Sequence, residues 1–63
     1  MNVTEDDLKE AFEKLPPRMQ AVLALRAAGY TQHEVGTVVQ ISRTTVWSDE
    51  TEGYAQLRHL LTN

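Results

Sequence analysis

One pattern of apolar and polar positions recurs three times along the chain. An apolar residue is followed by a hydroxyl residue, and a second apolar residue stands four places after the hydroxyl: Val3, Thr4 and Leu8; Tyr30, Thr31 and Val35; Ile41, Ser42 and Val46. The hydroxyl suits a helix N-cap, where it satisfies a free backbone N–H, and the flanking apolar pair staples the entry of the chain. Asp7 and Glu34 stand three places after Thr4 and Thr31, so both starts carry a carboxylate able to reach back to the cap. The spacing predicts a first helix over about residues 5–14, with Leu8, Ala11, Phe12 and Leu15 on one stripe. Pro16 and Pro17 stop it, and Pro17 suits the opening turn of a second helix that buries Met19, Val22, Leu23 and Leu25 and ends at Gly29. A short third helix over about 32–39 carries Val35, Val38 and Val39, and a fourth begins after Ser42. Val46, Leu57, Leu60 and Leu61 continue the apolar pattern of the fourth, but Gly53 interrupts it, so one long helix or two pieces hinged there are both open.

The resulting expectation is an all-α fold, a small helix-turn-helix bundle of four helices, or five if the last is broken. Residues 1–63 form a single domain with the helix-turn-helix core at about 31–52. No strand, repeat or linker is predicted. A chain of 63 residues buries a small core, and with no cysteine it has neither a disulfide nor a thiolate metal site to reinforce it. Dimerisation would compensate for that. No apolar run approaches the roughly 20 residues that span a bilayer, and "MNVTEDDLKE" is acidic where a signal peptide is basic and then apolar. A soluble, cytoplasmic protein without membrane contact is the expectation.

The formal net charge of −3 argues against holding nucleic acid by charge alone. Its distribution changes that picture. Residues 1–14 carry five acids against Lys9 and Lys14, and residues 49–63 carry Asp49, Glu50 and Glu52 against Arg58. Between them, residues 15–48 hold Arg18, Arg26 and Arg43 against Glu34 alone. The middle of the chain is locally basic, between two acidic ends.

"LPPRMQAVLALRAAGYTQHEV" followed by "ISRTTV" resembles the fourth conserved region of bacterial sigma factors and the related output domains of LuxR-type response regulators, over about residues 15–48. Phage terminase small subunits carry similar text in "LRAAGYTQ" and "SRTTV". The resemblance implies that Thr31 through Val39 form the helix crossing the DNA backbone and that the recognition helix starts after Ser42. Gly36 falls at a small-residue position where the two helices approach, and Val46 is core. Arg43, Thr44, Thr45, Trp47 and Ser48 are then the candidates for the major groove, with Thr31, Gln32 and Arg18 as phosphate holders. Gln40 stands where the family usually has a glycine, so a local difference in the turn is expected. Asp49, Glu50 and Glu52 stand where sigma-type recognition helices are basic.

Arginine forks onto guanine, threonine offers a hydroxyl and a methyl, and an aromatic can press on a thymine methyl. Arg43, Thr44 and Trp47 supply these groups; the plain alternative is a solvated first turn. For Trp47, the only tryptophan, core packing is the leading expectation, ahead of a protein interface and of DNA contact. A stripe of Trp47, Tyr54, Leu57 and Leu61 would make a dimer interface. The acids after Trp47 read either as a solvated cluster or as a patch that repels phosphates and selects a protein partner.

His33 and His59 stand alone, the glycines form no phosphate loop, and no serine has a histidine and carboxylate at a recognisable spacing. No enzyme, metal or cofactor is expected. The leading functional reading is a sequence-specific DNA-binding transcriptional regulator, a homodimer on double-stranded DNA, in a niche that suits a phage or mobile element. A second reading is an adaptor that grips RNA polymerase or another regulator through the acidic helix and the Trp47 flank. A third, weaker one is a packaging protein like the terminase small subunits.

Overall fold

The computed structural model describes residues 2–62 as four helices: α1 (Glu5–Glu13), α2 (Pro17–Ala27), α3 (Gln32–Val39) and α4 (Arg43–Thr62). Each start is built by the chemistry its sequence carries. Thr4 Oγ1 accepts from the Asp7 backbone N–H at 3.1 Å, and Asp7 Oδ2 accepts from the Thr4 N–H at 3.1 Å. Thr31 and Glu34 repeat this capping box, with the Thr31 N–H donating to Glu34 Oε1 at 2.9 Å. Pro17 opens α2, where its missing N–H leaves nothing unsatisfied.

Helix ends are equally specific. α1 stops at Glu13, one residue short of the expectation, because the Lys14 N–H closes onto the Ala11 carbonyl and the Leu15 N–H onto that of Phe12, each at 3.1 Å. The Gln20 side chain reaches back from α2 to donate to the Leu15 carbonyl at 2.7 Å. After α2, Gly29 takes φ of +100°, a left-handed turn open to glycine at little cost, and the Tyr30 N–H closes onto the Leu25 carbonyl at 3.1 Å. Gln40, after α3, sits at φ 63° and ψ 47°. The turn therefore keeps its left-handed residue even without a glycine, contrary to the expected local difference.

α4 runs unbroken for 20 residues, so Gly53 is no hinge. Its role is close approach: a Cβ there would lie 2.8 Å from Leu23 Cδ1 and 3.0 Å from Met19 Cγ. Helix α2 crosses α4 at this point, and only glycine leaves room for Leu23 and Met19 to lie against the backbone.

All three other helices pack on α4. Two apolar clusters result. Leu15, Met19 and Leu23 are buried with Phe12, Leu57 and Leu60 packed around them. Val22, Val35 and Val46, each fully buried, form the second, flanked by Leu25, Val39 and Ile41. This second cluster fixes α3 against the first turns of α4 and so positions the candidate site. Among the described residues, no helix is long and apolar enough to cross a membrane.

Candidate nucleic-acid interface

The turn between α3 and α4 is three residues, Gln40, Ile41 and Ser42, and is closed by the Ile41 N–H donating to the Gly36 carbonyl at 3.0 Å. A Cβ at Gly36 would lie 2.8 Å from the Ile41 carbonyl oxygen, so the small residue is needed where the turn folds back on α3. Ser42 then caps α4: its Oγ accepts from the Thr45 N–H at 3.1 Å and lies 2.9 Å from Thr45 Oγ1. The Thr45 hydroxyl is thereby engaged with Ser42 in this geometry.

Arg43 and Thr44 project to solvent from the tip of α4. With Gln32 and Trp47 they line a shallow groove of about 370 Å³. Trp47 is 58% exposed, which overturns core packing as its leading role. The reason is its place on the helix: Val46 takes the inward position, and Trp47, 100° further round, clears the α2–α3 surface. Tyr54 is likewise exposed, whereas Leu57 packs on the Leu15 cluster and Leu61 is half-buried. Of the four stripe residues, two face solvent and Leu57 is committed to the core.

The phosphate-holder candidates are more constrained. Thr31 spends both its hydroxyl and its N–H on the capping box. Hydrogen bonds from the Thr31 N–H, and then from its side chain, hold Glu34 below its ordinary carboxylate value. Gln32 Nε2 donates to Glu50 Oε1 at 3.2 Å. Ser48 is half-buried. Arg18 donates from Nε to Asp49 Oδ2 at 2.8 Å and from Nη2 to Asp49 Oδ1 at 3.0 Å, a two-bond fork. The side-chain hydrogen bond to Asp49 and then its charge raise the Arg18 guanidinium above its ordinary value.

Of the three acids after Trp47, Asp49 and Glu50 are therefore neither solvated nor a bare repelling patch, while Glu52 is exposed. Asp49 is only 5% exposed. Glu50 accepts from Arg26 Nε at 3.0 Å, and Arg26 Nη1 donates to the Tyr30 carbonyl at 2.7 Å. Two consecutive acids thus meet two arginines of α2, one each. Sequence reasoning missed these pairs, although a signal was present: Val46, Asp49 and Gly53 follow at intervals of three and four, which sets Asp49 on the buried stripe of α4. Arg43 carries no ion pair among the described residues, unlike Arg18 and Arg26. No group of three or more His, Cys, Asp or Glu side chains among the described residues is placed to hold a metal ion.

A three-residue turn joining two packed helices, with the tip of the second free of its own domain, defines a helix-turn-helix domain. Residues 11–59 match the family model of sigma-70, region 4, and the chain belongs to that family of DNA-binding, non-enzymatic domains. No curated protein and no solved structure matches it.

Proposed function

We propose that this protein is a sequence-specific transcriptional regulator that sets the first turn of α4 in the major groove of double-stranded DNA. The observation that carries the reading is the groove at the helix tip, where the exposed and unpaired Arg43 stands beside Thr44, Trp47 and Gln32. In the proposed complex Arg43 forks onto a guanine, Thr44 and Trp47 meet base edges or a thymine methyl, and Ser48 borders the groove. Thr45 acts through the Ser42 cap, and Thr31 and Gln32 border the adjacent backbone.

Counterion release from one tip is small, so a homodimer that doubles the contacts completes the proposal. The exposed Tyr54 flank favours such a contact. The adaptor reading keeps the exposed Trp47 flank but loses most of its acidic surface, because Asp49 and Glu50 are matched by Arg18 and Arg26. Nothing in the fold favours a packaging role.

Selection from a random duplex pool at low salt, followed by mobility shifts, tests the reading. A motif should be enriched, and Arg43→Ala should weaken binding to it by about tenfold to a hundredfold, the value of one bidentate base contact. A pool that yields no motif, with Arg43→Ala behaving like the parent, would falsify the proposal.

A further inference from the structure

The fork between Arg18 and Asp49 joins an exposed cation to a buried anion: the arginine side chain is 55% exposed and the aspartate 7%. The arrangement is one-sided. Asp49 is fixed on the inward stripe of α4, and Arg18 lies over it from the opening turn of α2, bonded through Nε and Nη2. Asp49 stands six residues beyond Arg43 on the same helix, a rise of about 9 Å, which is comparable to the roughly 12 Å width of the major groove. Arg18 is thereby tied to α4 less than two turns from Arg43, with more than half of its side chain in solvent.

We propose, on the reading that α4 enters the major groove, that Asp49 is a positioning residue that withholds Arg18 from the phosphates and so lowers sequence-independent DNA affinity. Both atoms of the carboxylate are used on Arg18, and its charge is cancelled at contact distance. Glu50 does the same to Arg26, so the two α2 arginines contribute no net charge at the helix tip and Arg43 is left to discriminate. A protein arranged in this way binds duplex weakly away from its target, and a larger share of its affinity comes from base contact.

The test is the salt dependence of binding to a duplex lacking the selected motif, for the parent, Asp49→Leu, Arg18→Gln and the double variant, each checked for helicity by circular dichroism. Leucine fills the site without leaving a buried acceptor; Asp49→Asn is the second variant should Asp49→Leu not fold. Freeing Arg18 adds about one phosphate contact, so Asp49→Leu should lose an extra threefold to fourfold in affinity between about 50 and about 200 mM salt, starting from tighter binding at the low end. The double variant should return to the parent's slope, and Arg18→Gln alone, which leaves the Asp49 carboxylate without its partner, should bind no more tightly than the parent.

An unchanged slope in a folded Asp49 variant overturns the proposal. So does tighter binding by Arg18→Gln alone, or a gain that survives in the double variant. Failure of the parent to bind any duplex, with or without the motif, would instead remove the DNA reading itself.

Discussion

Gln40 holds a left-handed backbone, φ 63°, in the turn that sets α4 against α3. For a residue with a Cβ this conformation costs roughly 1 kcal/mol or more, and none of the turn's hydrogen bonds uses the Gln40 side chain. Replacing it with glycine removes the strain but loosens the unfolded chain, so Gln40→Gly should stabilise the domain by about 0.5 kcal/mol. Urea unfolding measures this, and a lowered midpoint would show that the glutamine side chain supports the turn. The sequence made the position conspicuous without fixing its geometry, because whether a non-glycine residue accepts positive φ depends on what the neighbouring helices enforce. Trp47 was illegible for a similar reason: periodicity placed it on a flank, and only the tilt of α4 on its neighbours decides whether a flank is covered.

At the scale of elements, helix starts were the most legible feature, since the caps and their carboxylates are local in sequence. The pairing of Arg18 with Asp49 was not, because it links residues 31 apart through the crossing of α2 and α4. α3 has only eight residues, too short to be stable alone, so its capping box matters to it. Glu34 is held below its usual value of 4.5 by its bonds with Thr31. A depressed carboxylate stabilises the folded state above the unfolded pKa, and that contribution disappears as pH falls through the folded value. Stability should accordingly fall on acidification below about pH 4.5, and Glu34→Gln, which keeps the reach-back bond but does not titrate, should fall less steeply. Urea midpoints from neutral to acid pH measure the difference; parallel curves would show that the cap has no part in the acid limb.

For the whole molecule, stability rests on two small clusters bridged by α2 and α4. Val46 is fully buried in the one behind the first turn of α4. Val46→Ala should cost about 2 kcal/mol through lost burial and a residual cavity. In a domain this small that is a melting midpoint lower by roughly 10 °C, measured by circular dichroism. An unshifted midpoint would mean that the valine cluster does not hold α3 to α4.

The unbroken α4 has one more consequence. Its 20 residues extend about 30 Å, nearly the 35 Å long dimension of the molecule, with Arg43 at one end and Leu60 seated near the other. Such a rod behaves as a lever arm, so its head cannot swivel without its tail. In the proposed complex, a fluorescent or spin label placed beside Leu60 would thus report how the Arg43 end of α4 tilts from about 25 Å away.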